Sequence, residues 1–304
     1  MGANLESGYA LIRANPRNFA IHYSTYRENI FFRQSWEKRL AIFGDDAPCY
    51  WITFRTRRIG GVCIEANELS SFFLEPPYTD LHQVLPVLKN YLITVSDMEK
   101  PIQVYGILPY QSEAFMRLGF VLSESRRVMI RPTEACPSPD WGTSLRVISP
   151  TPEHSEDMAR LFLEAYSGKD QIGLPADNTI DQHHSYLSYY FAHNTAEIVK
   201  NASSLVFDKR NNKLAAVCLI SIWEDLPLLS NIAVLPEYRG KQIASRLITH
   251  ALTVLNQAYE VLRLFVTIGN PAESLYHHLG FYSGMEQMTL YLPPDKVGDV
   301  QMDE

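Results

Sequence analysis

Residues 231–247 read NIAVLPEYRGKQIASRL: an apolar run, a short polar loop, and then an amphipathic segment. The run ends at Pro236, which predicts a buried strand that turns directly into a helix. Gly240 has no side chain to obstruct a ligand, and the loop with the first helical turn can direct several backbone N–H groups outward. These donors, with the charges of Arg239 and Lys241, form a candidate pyrophosphate site. The alternative is a tight strand-to-helix turn with two solvated cations.

The same stretch belongs to an internal repeat. Three blocks pair in the same order at offsets of 155 to 161 residues: 59–64 with 214–219, 69–78 with 229–238, and 115–120 with 276–281. Repetition at a nearly fixed period is typical of a duplicated fold.

The two copies are separated by a proline-rich segment. Residues 132–142 contain three prolines, which can continue neither a helix nor an inner strand. We therefore expect a first domain at 1–131, a linker at 132–144, a second domain at 145–293 and a polar C-terminal tail at 294–304.

Periodicity in the second copy predicts a mixed α/β sheet. The expected order is strand, helix, antiparallel strands, helix, strand, helix, strand. The strands are expected at 145–148, 204–207, 213–223, 226–234, 262–267 and 287–292, and the helices at 152–166, 243–255 and 271–279.

Composition bounds the class of protein. Of the 304 residues, 46% are hydrophobic and 20% charged, as in ordinary globular proteins. The sequence has no apolar run long enough to span a membrane, no secretory signal pattern and no CxxC pair among its four cysteines. We therefore expect a cytoplasmic protein, monomeric or homodimeric, with neither a membrane nor a metal as partner.

Charge is distributed unevenly. Residues 1–140 carry 15 basic and 15 acidic side chains, so the whole net charge of −7 belongs to the remainder. An acidic second half argues against nucleic acid as a partner and favours a small cationic one.

Two motifs carry a family resemblance. VLPEYRGKQIA at 234–244 and NPAESLYHHLGF at 270–281 resemble the GNAT superfamily of acetyl-CoA-dependent N-acetyltransferases. The resemblance is good over 204–292. It implies an α/β (α+β) fold of two tandem GNAT-like domains, each a mixed, mostly antiparallel sheet flanked by helices.

The resemblance also implies a cofactor site. In such enzymes the loop binds the pyrophosphate of acetyl-CoA, and the preceding strand splays open to pair with the pantetheine arm and polarise the thioester. Gln242 stands where the family usually has Gly or Ala, and the spacing from Asn270 to Tyr276 is one residue short. The implied cofactor-binding residues are Ile232, Ala233, Val234, Arg239, Gly240, Lys241, Gln242, Ile243, Ala244, Asn270 and Tyr276.

Tyr276 is the candidate general acid, because the resemblance puts its phenol beside the thioester, where it could protonate the departing thiolate. The alternative is a core tyrosine that seals its helix against the sheet. The general base is open. Relatives often carry a carboxylate at the position of Leu228, whereas here the nearest acids are Glu224 and Asp225, in what could be simply a polar turn.

Two further features lie upstream. His183 and His184 could supply a base of near-neutral pKa, or could be a solvated pair at a helix start. Residues 186–191, YLSYYF, predict a helix that packs on the core or forms a wall for an acceptor with an apolar or cationic body.

The first copy lacks the corresponding chemistry. Thr79 and Asp80 stand opposite Arg239 and Gly240, and Phe115 stands opposite Tyr276. A carboxylate opposes a pyrophosphate, so this copy is expected to be degenerate and the second copy active.

The sequence therefore predicts an acyltransferase. Its second domain would move an acetyl group from acetyl-CoA to a primary amine of a small molecule or peptide, by direct attack in a ternary complex. The alternatives are a non-enzymatic acyl-CoA-binding or sensing module, and another acyltransferase on the same doubled fold.

Overall fold

The computed structural model describes residues 2–167, 172 and 178–294. Apart from Pro294, the predicted C-terminal tail lies outside these residues. The chain divides into two compact units, one comprising Met1–Arg126 with Met285–Glu304 and the other Arg127–Gly284.

Residues 2–132 contain seven strands and four α-helices. In chain order they are β1 (Ala3–Asn4), β2 (Tyr9–Arg13), α1 (Pro16–Tyr26), α2 (Trp36–Leu40), β3 (Cys49–Phe54), β4 (Arg57–Glu65), β5 (Glu68–Leu74), α3 (Leu81–Val95), β6 (Ile102–Ile107), α4 (Pro109–Arg117) and β7 (Val121–Pro132).

The rest of the chain repeats this order without a counterpart of the short strand β1 and with one additional helix. Its elements are β8 (Leu145–Ile148), α5 (Ser155–Ala165), α6 (Ile180–His193), α7 (Glu197–Ala202), β9 (Ser204–Asp208), β10 (Lys213–Trp223), β11 (Leu226–Val234), α8 (Ile243–Leu255), β12 (Val261–Thr267), α9 (Ala272–His278) and β13 (Tyr282–Leu292). The predicted elements of the second copy are confirmed, most of them to within one or two residues.

Each unit contains a mixed sheet. The strand order is β1-β2-β3-β4-β5-β6-β13 in the first unit and β7-β12-β11-β10-β9-β8 in the second. Neighbours pair in antiparallel fashion along β2-β3-β4-β5 and along β11-β10-β9-β8, whereas β5 pairs with β6 and β11 with β12 in parallel. The predicted mixed α/β architecture with flanking helices is confirmed.

Apolar periodicity explains how the second sheet is covered. The fully buried side chains of α8 recur at helical spacing and face the sheet: Ile243, Leu247, Ile248, Ala251, Leu252 and Leu255. The central strands read as continuous buried runs, since both of their faces are covered by helices.

Each sheet takes its last strand from the other sequence copy. Leu290 and Leu292 of β13 are fully buried in the core of the first unit, and Met129 of β7 is fully buried in that of the second. The unit boundary therefore falls between Arg126 and Arg127, upstream of the predicted linker.

The predicted linker packs on the second unit. The backbone N–H of Thr133 donates to the Glu260 carbonyl (2.9 Å), and the N–H of Cys136 to Oγ1 of Thr253 (3.2 Å). Among the described residues, no helix is both long and apolar enough to cross a membrane.

Candidate active site

A β-bulge in β11 marks the centre of the site. Leu219 of β10 pairs with Asn231, and the next residue, Ile220, pairs with Leu229, so Ser230 is the extra residue. Its hydroxyl donates to the Leu219 carbonyl (3.2 Å). A bulge bends its strand and redirects the neighbouring side chains, and such distortions are common next to active sites.

Past the bulge, β11 separates from β12. The two strands pair in parallel at Leu228 with Arg263 and at Leu229 with Leu264, whereas the pairing of β11 with β10 continues to Val234. Over 231–234, the edge of β11 toward β12 has no ladder partner within the described part of the chain. Backbone groups on an unpaired edge can bind an extended ligand by strand-like hydrogen bonds.

The loop after β11 opens onto free space. A one-turn 3-10 helix, Pro236–Tyr238, leads into Gly240 at φ +75° and Gln242 at φ +60°. A Cβ at Gly240 would meet nothing within 4 Å, so this glycine is suited by its backbone angle and leaves room for a ligand.

The start of α8 is not capped by the side chain of its own N-cap residue. The N-cap residue, Gln242, makes no side-chain hydrogen bond to the helix. The first N–H groups of a helix need partners, and with the positive end of the helix dipole they attract anions. This end of α8 is therefore suited to bind a phosphate group.

The two predicted loop cations are held by backbone carbonyls. Arg239 donates from Nε to the Val234 carbonyl (3.1 Å) and from Nη2 to the carbonyl of Ala165 at the end of α5 (2.9 Å). Lys241 donates from Nζ to the Glu237 carbonyl (2.9 Å). Their charge lies near the loop, but these bonds give both side chains a role in fixing its shape.

Tyr276 lies on α9 with 6% of its surface exposed. Its ring meets Phe281 edge to face, with 6.0 Å between centroids. Burial raises the pKa of Tyr276 to about 12, with a smaller contribution from Cys218 on β10. Its hydroxyl has no hydrogen-bond partner among the described residues, so the phenol is protonated and able to donate.

Tyrosine and amide groups surround the bulge. The Tyr166 hydroxyl, at the end of α5, donates to Oδ1 of Asn231, and the Tyr186 hydroxyl on α6 donates to Oγ of Ser230 (3.1 Å). Burial raises the pKa of Tyr166, to which the neighbouring Tyr186 and Tyr276 add. Neither Tyr166 nor Asn231 was among the predicted site residues. The only sequence feature that pointed to Asn231 was its polar side chain within an otherwise apolar strand.

Glu224 and Asp225 form the tight turn between β10 and β11, both at positive φ. Ser230 is five positions along the strand from Asp225, which places this turn roughly 17 Å from the bulge. Leu228 lies between them and carries no acid. The structure therefore does not bring Glu224 to the bulge, and its position is that of a hairpin turn.

The two histidines have separate environments. His183 is buried between Phe162 and Tyr166, and its Nε2 lies 2.6 Å from Oδ1 of Asn178. Burial lowers the pKa of His183, which keeps the imidazole neutral. His184 pairs on the surface with a carboxylate of α5 (3.1 Å).

Both ends of the Asn270 amide make a hydrogen bond. Its amide donates to the Ile172 carbonyl (2.8 Å), and its Oδ1 accepts from the backbone N–H of Ala272 at the start of α9 (2.9 Å). In this structure Asn270 fixes the beginning of the helix that carries Tyr276. Among the described residues, no cluster of three or more His, Cys, Asp or Glu side chains is arranged to hold a metal ion.

The equivalent place in the first unit differs at the helix start. Strand β5 has a comparable irregularity, with Ser71 at φ +53°, and also diverges from β6. Oδ1 of Asp80, however, accepts from the backbone N–H groups of His82 (3.0 Å) and Gln83 (3.3 Å). The carboxylate thus occupies the donors that α8 leaves available.

Part of the second unit matches a known protein family by sequence. Residues 156–281 match the sequence model of the acetyltransferase (GNAT) family, a match that spans less than half of the chain. Acetyl transfer from acetyl-CoA is generic to that family. No curated protein matches the chain by sequence.

Solved structures share the fold at low sequence identity. A GCN5-related N-acetyltransferase from Sphaerobacter thermophilus is similar with a TM-score of 0.65 and 14% identity, covering 95% of this chain and 96% of that one. A tandem GNAT protein from the clavulanic acid biosynthesis pathway gives 0.54 and 11%, covering 96% and 99%. A GNAT-family acetyltransferase from Colwellia psychrerythraea gives 0.53 and 12%, covering 93% and 98%.

Proposed function

We propose that this chain is an N-acetyltransferase whose second unit transfers an acetyl group from acetyl-CoA to a primary amine of a small molecule or peptide. The observation that carries the proposal is one continuous surface: an unpaired strand edge at 231–234 that leads to the uncapped start of α8. An extended arm with an anionic end fits such a surface.

The residues present fit acetyl-CoA. The backbone edge at Ile232, Ala233 and Val234 would bind the pantetheine arm, and N–H groups from Gly240 to Ala244 would bind the pyrophosphate. When bound, acetyl-CoA supplies the acetyl group as a thioester. Gln242 would contribute its backbone N–H rather than its side chain. Its φ of +60° makes it part of the turn before α8.

Tyr276 would act as the general acid. Its protonated phenol is buried on the helix next to the splayed strands, where it can donate to the sulfur as the thiolate leaves. Tyr166 and Asn231 line the bulge and would orient the acceptor amine by hydrogen bonds.

Direct attack by the amine is favoured over an acyl-enzyme. Cys218 lies in the interior of β10, and burial raises the pKa of its thiol to about 12. Only the thiolate is a good nucleophile, so this cysteine is a poor acceptor of an acetyl group.

The first unit would not bind acetyl-CoA. The carboxylate of Asp80 caps α3 where a pyrophosphate would bind, and Phe115 has no hydroxyl to offer. We propose a structural or acceptor-shaping role for this unit.

A second candidate is a non-enzymatic acyl-CoA-binding module, favoured by the absence of a carboxylate at Leu228. Turnover separates the two. The protein is incubated with acetyl-CoA and a panel of alkyl amines, amino sugars, polyamines and peptides, and thiol release is followed. Amine-dependent release supports the enzyme, whereas tight binding of acetyl-CoA without release under any amine would support the binding module.

A further inference from the structure

Two of the four cysteines face each other in the sheet of the first unit. Cys49 begins β3 and Cys63 lies near the end of β4, and the two residues are direct partners in the antiparallel ladder. Their sulfur atoms are 3.4 Å apart, and both thiols are free. Direct cross-strand partners lie on one face of a sheet, so the pleat itself holds the two sulfurs together.

The pair occupies the position in the ladder where side chains come closest. The backbone N–H of Ile64 donates to the Pro48 carbonyl (3.1 Å), which makes Cys49 and Cys63 a non-hydrogen-bonded pair. In such a pair the Cα atoms are about 4.5 Å apart, within the range of about 4.4–6.8 Å that disulfides span. A disulfide can therefore form here without a shift of either strand.

The surroundings of the pair are apolar. Both cysteines belong to a small core cluster with Ala14, Phe19 and Phe73, and they are 0% and 5% exposed. The exposed residues 44–46 shortly precede β3, so the pair lies at an end of the sheet beside an exposed loop. Local opening costs least in such places, which gives a small reagent access to the sulfurs.

The two thiols are not equivalent. A hydrogen bond from the Cys63 thiol lowers the pKa of Cys49 against the opposing effect of burial, and Arg13 on β2 adds to the lowering. The same hydrogen bond, together with burial, raises the pKa of Cys63. Because the thiolate is the reactive form, Cys49 is the nucleophile of the pair and Cys63 the proton donor.

We propose that Cys49 and Cys63 form a reversible oxidation site, which a small hydroperoxide converts from two thiols to a disulfide. The inference is independent of the proposed function, since both thiols belong to the first unit. In a reducing compartment the resting form is the dithiol, and disulfides that form there are typically transient and redox-sensing.

The oxidation takes two steps. The Cys49 thiolate attacks one oxygen of hydrogen peroxide, so that an S–O bond forms, the O–O bond breaks, and the leaving hydroxide becomes water with the proton that Cys49 released. Cys63 then attacks the sulfenic sulfur of Cys49. The S–S bond forms, the S–O bond breaks, and the hydroxyl leaves as water with the proton of Cys63. The two thiols lose two electrons in total, and the peroxide gains them.

The test is peptide mapping of the full chain. The folded protein is treated with hydrogen peroxide, the remaining thiols are alkylated in denaturant, and the product is cut with trypsin without reduction. Trypsin cuts after Arg55, Arg57 and Arg58, so Cys49 and Cys63 fall on separate peptides. We expect the two peptides as one linked species that lacks the mass of two hydrogens. Dithiothreitol should restore both thiols to alkylation.

Single serine variants distinguish the two roles, because a serine hydroxyl keeps a hydrogen-bond donor of similar size. Cys63→Ser should leave Cys49 without a resolving thiol, so that Cys49 proceeds to the sulfinic acid. In Cys49→Ser, Cys63 should oxidise at least about tenfold more slowly than Cys49 does in the unaltered protein. Cys136→Ser is the matched control, which removes a half-buried cysteine and should retain the linked peptides.

Absence of the linked peptides from oxidised, folded protein would overturn the inference, as would a link from either cysteine to Cys136. A link that forms only after urea has unfolded the chain would also overturn it. Equal oxidation rates in Cys49→Ser and Cys63→Ser would reject Cys49 as the nucleophile. Should a serine variant fail to fold, the alanine variant at the same position gives the comparison, and the mapping of the unaltered protein needs no variant.

Discussion

The Tyr276 hydroxyl is the group on which the proposed chemistry depends most. Tyr276→Phe retains the ring and its contact with Phe281 and removes only the proton donor. We expect kcat to fall about 10²–10⁴-fold where chemistry limits turnover, with the dissociation constant of acetyl-CoA nearly unchanged. The fold should tolerate the change, since Phe115 fills the equivalent position of the first unit at 2% exposure.

Phe281→Leu is a suitable control for packing, because it alters the partner ring and leaves the phenol in place. Steady-state kinetics and calorimetry on both variants check the expectation. Turnover by Tyr276→Phe at the unaltered rate would assign Tyr276 to packing alone.

The raised pKa of Tyr276 also predicts how kcat depends on pH in the alkaline range. Burial raises the pKa of Tyr276 to about 12, so the acid form is complete below that value and is lost only as pH rises through it. We expect kcat to show no fall from this group between about pH 8 and pH 10, where a solvated phenol would begin to ionise. A fall centred near pH 10 that Tyr276→Phe abolishes would contradict this.

Sequence spacing alone was enough to predict roles for Gly240 and Tyr276, because both belong to local motifs with a fixed relation to a turn or a helix. It could not identify the bond of Tyr166 to Asn231, which depends on where α5 ends relative to the bulge, 65 residues further along the chain. Contacts at such separation are set by tertiary packing. Nearness in sequence to β11 also does not bring Glu224 near the bulge, so its role as a base stays a prediction.

At the scale of elements, α3 begins with the carboxylate of Asp80 at its N-cap, whereas the N-cap of α8 is the uncharged Gln242. Gly240→Asp would set such a charge before α8, and we expect it to abolish detectable binding of acetyl-CoA. Gly240→Asn is the matched control, because asparagine tolerates a positive φ and carries no charge. It should retain binding to within about tenfold. Calorimetry on both proteins gives the comparison, and equal losses would attribute the effect to backbone strain.

The first unit allows the converse experiment. Asp80→Ala removes the cap of α3 and should destabilise that unit by about 0.5–2 kcal/mol in chemical denaturation. We expect one acetyl-CoA per chain before and after the change, because the first unit also lacks the tyrosine and the glycine of the second. A second equivalent site in the variant would show that the carboxylate alone prevents binding.

Most elements of the second copy followed from apolar periodicity, which is strong in α8 and in the hairpin of β10 and β11. The β-bulge at Ser230 was not predicted, because neither this residue nor its neighbours has a side chain that requires a bulge. The pairing register between two strands depends on both strands and on the loop that follows. The sequence of one strand therefore does not reveal the extra residue.

At the scale of the molecule, the last strand of the chain belongs to the first unit. Leu290→Ala should therefore destabilise the first unit, although the residue follows the second copy in sequence. A fully buried leucine costs about 2–5 kcal/mol on truncation. Hydrogen exchange should show lost protection in β6, the strand that pairs with β13.

Met285→Ala, at a 44% exposed position of the same strand, should cost less than about 0.5 kcal/mol. Loss of protection confined to β11 and β12 in the Leu290→Ala protein would show that the strand supports the second unit instead.

The sequence alone does not predict that β7 completes the second sheet and β13 the first. The repeat blocks end at residue 281, and the residue patterns at 121–132 and 282–292 are compatible with either sheet. The prolines at 132–142 correctly indicated a break in regular structure. They could not reveal that the segment is hydrogen-bonded to α8 and to Glu260, just before β12.

The origin of β13 in the C-terminal part of the chain imposes an order on biosynthesis. When a ribosome has made residue 126, β6 still lacks its outer neighbour, and the core of the first unit lacks two leucines. At about 5–20 residues per second, the 159 residues up to Met285 take roughly 10–30 s. During that interval the nascent chain exposes an open sheet edge, so its yield in a cell should depend on chaperones more than that of a protein whose first domain closes on its own.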